Sequence, residues 1–161
     1  MFWIEARVKM PTTAGYSGTP LPKKLGLKDG QVVAFIGLPN TQNDLLSSRA
    51  FMNVSEPALA ADLTTGENDY VHLFSDDARI VRDGMNDLCR AIKPDGMIWV
   101  SWPKKASKVP TDMSEDVIRN KALEGTLVDV KVCAVDEIWS GLKLVVRKEL
   151  RAQHNQTAEK G

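Results

Sequence analysis

Residues 97–108 read Met97-Ile98-Trp99-Val100-Ser101-Trp102-Pro103-Lys104-Lys105-Ala106-Ser107-Lys108. Ile98, Trp99 and Val100 are β-branched or aromatic with no charge between them, the pattern of a strand buried on both faces, as in a parallel sheet covered by helices. Pro103 has no N–H to give to a ladder and ends the strand. Lys104, Lys105 and Lys108 follow at once, with Ser101 and Ser107 beside them. In open α/β sheets ligands bind outside the carboxyl ends of the strands. This one stretch therefore predicts the fold class and a place for a ligand.

Upstream, Ile80, Val81, Gly84, Met85, Leu88, Cys89 and Ile92 recur at helical spacing. Ser75-Asp76-Asp77 offers a cap before that helix, and Lys93-Pro94-Asp95-Gly96 supplies stop signals after it. Tyr70–Phe74 reads as a short strand with His72 inside it. Further back, Lys28-Asp29-Gly30 is a turn, Gln31–Ile36 a second buried strand, and Gly37-Leu38-Pro39-Asn40 its carboxyl end. Residues 40–52 have helical composition. No element can be assigned over 53–68.

Downstream, a helix starts near Asp112 or Ser114, with Glu115 and Asp116 in its first turn and Val117, Ile118, Ala122 and Leu123 as its inner stripe. Strands over 128–135 and 142–147 follow, joined through Asp136–Gly141, where a structural hairpin with Trp139 as packing is expected rather than an acid–base pair. Phe2, Ile4, Ala6, Val8 and Met10 alternate with charged residues, which predicts an edge strand. Residues 1–14 are thus an N-terminal extension able to pair within the sheet or with a second copy in a homodimer. Residues 15–148 form a single α/β domain, and residues 149–161 a polar C-terminal tail, read as a frayed helix or a disordered segment. The order predicts a three-layer α/β domain with a mostly parallel sheet and an antiparallel C-terminal hairpin.

Composition narrows the function classes. Twenty-one basic and twenty-one acidic residues cancel, so nothing indicates a general attraction to nucleic acid or to an anionic membrane. Cys89 and Cys133 are isolated in apolar segments and make neither a disulfide framework nor a metal spacing. Glu5, Arg7 and Lys9 interrupt any signal-peptide core, and no apolar run approaches the ~20 residues of a membrane helix. A cytoplasmic location is expected. His72 is read as a buried neutral histidine satisfied by a neighbour. No catalytic set or metal cluster assembles. The candidate ligand-binding residues are Gly37, Asn40, Ser101, Lys104, Lys105, Ser107 and Lys108, for a small anion held between the two loops; the alternative is a solvated lysine loop.

Leu27-Lys28-Asp29-Gly30-Gln31-Val32-Val33 and Ala91-Ile92-Lys93-Pro94-Asp95-Gly96-Met97-Ile98-Trp99-Val100 resemble segments of class I S-adenosylmethionine-dependent methyltransferases, a Rossmann-like fold whose last strand inserts antiparallel. Gly15–Leu21, Val100–Lys108 and Lys131–Leu142 make the region from Gly15 to about Lys148 similar to a bacterial family, the domain of unknown function 3052. The resemblance implies a truncated methyltransferase scaffold and makes S-adenosylmethionine the cofactor to consider. In the methyltransferase pattern, glycines after the first strand cradle the cofactor and an acidic residue after the second holds its ribose. The single glycine and rigid Pro39 of the present loop disfavour that cofactor. The expected function is a non-catalytic module binding an anion or other small ligand. The alternatives are a methyltransferase or other group-transfer enzyme, and a protein-interaction subunit.

Overall fold

The computed structural model describes residues 18–155 of the 161-residue chain. The edge strand expected within residues 2–10 lies outside the described residues.

Helix α1 (Leu21–Leu25) is one short turn, stopped by Gly26 in the left-handed region at φ 85°. Strand β1 (Val32–Ile36) leads into a 3₁₀ segment, Asn40–Ser47, and then strand β2 (Asn53–Ser55). Strand β3 (Asn68–Phe74) precedes helix α2 (Ala78–Ala91), and strand β4 (Ile92–Pro103) follows it. Helix α3 (Glu115–Leu123) leads to the hairpin of β5 (Leu127–Ala134) and β6 (Trp139–Val146). The sheet order is β2-β1-β3-β4-β6-β5. The first four strands are mutually parallel, and β6 is antiparallel to both β4 and β5. The α/β class, the parallel core and the antiparallel finish agree with the sequence reading.

Local signals explain the helices. Asp77 caps α2 by accepting from Arg79 N, and Ser114 caps α3 by accepting from Val117 N. Val81, Met85 and Leu88 on α2 and Ile118 and Ala122 on α3 are buried against one sheet face, while Ile80 and Leu123 point outward. The other face buries Leu25, Phe35, Leu45, Tyr70, Phe74 and Trp99 beneath α1 and the 3₁₀ segment. No described helix is long and apolar enough to cross a membrane.

Three details differ from the sequence reading. The 40–52 region winds as 3₁₀ rather than α-helix, following Pro39 and broken at Gln42 (φ −115°). Lys93–Gly96 does not end a helix before a new strand. It is an irregular part of β4, since Ile92 pairs with Asn68 and Met97 already with Tyr70. The polar segment after β6 packs on the body through residue 155: Lys148–Gln153 form a 3₁₀ helix, His154 Nε2 is bonded to Ile92 O (2.8 Å), and Asn155 donates to Arg90 O (3.0 Å).

Candidate functional site

At the carboxyl end of β4, Pro103 sits opposite Trp139, and Lys104 N donates to Ile138 O (2.8 Å). Lys105–Ser107 then make a single 3₁₀ turn, and Lys108 takes the left-handed conformation at φ 63°, ψ 12°. Ser107 Oγ donates to Lys104 O (2.7 Å) and accepts from Val109 N (3.2 Å), so its hydroxyl holds its own turn. Lys104 is half-buried, whereas Lys105 and Lys108 are exposed. Among the described residues none of these three lysines is paired with a carboxylate.

Gly37 and Asn40 lie at the end of β1, both exposed. Strand β3 separates β1 from β4, so the two loops stand about 10 Å apart by strand spacing. Between them β3 runs out into Ser75, Asp76 and Asp77. Carboxylates in the middle of the rim oppose an anion there and move the favourable seat towards the Lys104–Lys108 side. Nearby helix ends add little attraction. The first N–H of α2 donates to Asp112 Oδ1 (2.8 Å), and Glu115 and Asp116 occupy the first turn of α3.

Ser101 is not on the rim. It faces inward with no exposed surface, and its Oγ lies 2.7 Å from His72 Nε2, while His72 Nδ1 lies 2.8 Å from Tyr70 Oη. All three residues are fully buried. Phe74 stacks on the imidazole at a centroid distance of 4.1 Å, and Trp139 meets Phe74 edge-on. Burial pushes the His72 pKa down to about 3 and raises that of Tyr70. A neutral imidazole has one donor and one acceptor nitrogen, and the two hydroxyls satisfy both. The Ser–His–Tyr series resembles a nucleophile–base array, yet it is closed to solvent. It is a structural relay, as the sequence reading of His72 expects.

Glu56 escaped the sequence reading. It follows β2 directly, exposed at the carboxyl end of that strand, where the methyltransferase pattern carries its ribose-holding acid. The signal was hidden because β2 has three residues, two of them polar.

A separate cleft of about 910 Å³ lies at the amino ends of the parallel strands, between α2, α3 and the C-terminal 3₁₀ helix. Met85, Leu127 and Leu150 line it with Cys89, Arg90 and Lys121. Its cations are committed: Arg90 bonds Asp87, Leu63 O, Thr65 and Ala61 O, and Lys121 bonds Glu124.

The sequence pattern described as "Protein of unknown function (DUF3052)" matches residues 22–148. The chain belongs to the DUF3052 family. No curated protein matches this family member in sequence. Its fold is similar to that of a Sulfolobus solfataricus protein described as a type 11 methyltransferase, with a TM-score of 0.60 and 15% identity, over 80% of this chain and 90% of the other. It is also similar to a SAM-dependent methyltransferase from Aquifex aeolicus (TM-score 0.56, 16% identity, 78% and 88% covered). A third similar structure is magnesium protoporphyrin IX methyltransferase from Synechocystis PCC 6803 with bound SAH (TM-score 0.53, 13% identity, 73% and 74% covered). At these identities the likeness shows a methyltransferase-like fold and nothing finer.

The loop after β1 does not fit a cofactor held in the methyltransferase manner. Gly37 is at φ 70°, but its close approach is to its own sheet: a Cβ there would lie 2.5 Å from Phe74 O. The glycine serves the packing of β1 on β3. Pro39, two residues on, has no N–H to offer. Glu56 follows β2, where the resemblance would put a ribose-holding acid, and the methionine end has no matching cradle.

Proposed function

We propose that this DUF3052 protein is a small-anion-binding module on a methyltransferase-like scaffold, with the ligand held at the rim by Lys104, Lys105 and Lys108. One observation carries the reading. Lys108 is held at φ 63°, a conformation that costs a residue with a Cβ about 1–2 kcal/mol and that glycine normally fills at such a turn end. Strained backbone of this kind clusters at ligand clamps, and here it accompanies three cations without a carboxylate partner among the described residues. The test is an NMR titration with inorganic phosphate of the parent and of a Lys104→Ala, Lys105→Ala, Lys108→Ala variant. Shifts around 104–116 that weaken with salt and vanish in the variant support the reading. Identical responses in both chains refute it.

A second reading, a methyltransferase with an altered cofactor loop, rests on Glu56. Calorimetry with S-adenosylmethionine and S-adenosylhomocysteine separates the two. Micromolar binding that is lost in Glu56→Ala replaces the first reading with the second.

A further inference from the structure

A second basic surface lies on the sheet itself, away from the rim. In the β5–β6 ladder Asp129 stands opposite Leu144, and the next paired residues are Lys131 and Lys143. Val130 is therefore the extra residue of a β-bulge. Without it, Val130 would stand opposite Lys143. The bulge puts a second lysine there instead. Bulges re-aim side chains, and like charges directly opposite each other repel.

The surroundings make this pair a site. Lys143 is the cross-strand partner of Trp99, so the lysine pair shares the face that α1 covers. Helix α1 is tied to that face where Trp99 Nε1 donates to Leu25 O (2.8 Å). The helix ends at Gly26, and Lys28 follows it on the α1–β1 connection. Lys143 titrates below the usual lysine value, first because burial penalises its charge and then because Lys131 and Lys28 repel it. The geometry agrees: Lys143 pairs with Lys131 and with Trp99, and Trp99 bonds Leu25 O, three residues before Lys28. Among the described residues no carboxylate pairs with any of the three lysines. Two acids close in sequence are committed elsewhere: Asp129 accepts from Arg119 Nε on the opposite face, and Asp29 accepts from Ala50 N.

We propose that Lys28, Lys131 and Lys143 form a binding site for a small oligophosphate, an anion with several adjacent negative charges. Three chain segments contribute the three point charges, and a monovalent anion would leave two of them repelling. Lysine suits phosphate as a point charge. Single-stranded nucleic acid is the less favoured partner, because stacking platforms use exposed aromatic rings and the large exposed apolar residues of the described chain include none.

The test uses the full chain with tripolyphosphate, orthophosphate and a short single-stranded DNA as probes, read by calorimetry and amide shifts. Tripolyphosphate is expected to move the amides of residues 28, 131 and 143, more strongly than orthophosphate does. The double variant Lys131→Gln, Lys143→Gln is expected to bind it at least about tenfold more weakly and to melt higher than the parent in phosphate-free buffer, since the repulsion is gone. Arginine at both positions is expected to restore binding, which separates lost charge from lost folding. The rim variant at Lys104, Lys105 and Lys108 is expected to keep the tripolyphosphate-induced shifts of residues 28, 131 and 143 while losing any around 104–116, which separates this site from the one proposed at the rim. The proposal is overturned by unmoved amides at these positions, by unchanged shifts there in the glutamine variant, by their loss in the rim variant, or by tighter binding of the DNA.

Discussion

His72 on β3 and Ser101 on β4 join the two central parallel strands through a 2.7 Å contact between Nε2 and Oγ, and neither side chain reaches solvent. Tyr70 completes the series on the other ring nitrogen. Such a network specifies one alignment of β3 on β4 only while the imidazole is neutral, because a charged ring would be buried without a counter-charge.

Stability should therefore depend on acid in a defined direction. The folded pKa of His72 is lowered from 6.5 to about 3. Between these values the unfolded chain binds a proton that the folded chain does not. The contribution is full above pH 6.5 and declines as pH falls towards 3, by up to about 1.4 kcal/mol per pH unit. Urea unfolding at pH 7.5 and pH 5 should show the parent losing more stability than His72→Gln. Equal losses would sink the assignment.

Removing Ser101 isolates the other half of the contact. Ser101→Ala leaves His72 Nε2 buried without a partner, and about 1–3 kcal/mol of unfolding free energy should be lost. The measurement is a denaturant midpoint at pH 7.5 with the slope unchanged.

Two glycines should tolerate alanine to different extents. At Gly141 a Cβ would meet Trp99 Cε3 at 3.0 Å and Ser101 Oγ at 3.1 Å, an overpacking of about 1–3 kcal/mol. At Gly37 the obstacle is the Phe74 carbonyl at 2.5 Å, and φ is 70°. Backbone cannot yield as a side chain can, so Gly37→Ala should be the worse of the two by thermal unfolding. The reverse order would contradict the packing of β1 on β3.

Lys108→Gly should act in opposite directions on stability and binding. Glycine relieves the left-handed strain at φ 63°, although it also loosens the unfolded chain, and the net gain should be up to about 1 kcal/mol. The same variant should weaken phosphate binding at the rim. A loss of stability would show that the Lys108 side chain packs usefully where it stands.

The parts of the fold that were legible in the sequence are those with long periodic signals. Ile98–Val100 marked the central strand because an uncharged β-branched run has few other homes, and Val81, Met85 and Leu88 marked α2 by spacing. Strand β2 was not legible: Asn53–Ser55 is too short and polar to show a period, and it forms only because β1 offers an edge. The 3₁₀ course of Asn40–Ser47 follows from Pro39 and the break at Gln42, and composition alone does not distinguish it from α-helix. At the site, the lysine loop could be placed from Pro103 onwards. The inward direction of Ser101 could not, because it depends on His72 reaching across from a neighbouring strand. Lys131 was equally hidden, since a one-residue bulge changes which side chain faces Lys143 without leaving a mark in the composition.

The indole of Trp99 donating to Leu25 O also orders events in time. Five residues of helix cannot persist alone in water, and the anchor for α1 lies 74 positions further along the chain. During synthesis α1 has to wait until β4 has been made and placed, so the first of the described helices is among the last to become fixed. Trp99 is positioned to report that step, as a change in its fluorescence that follows the formation of the central strands.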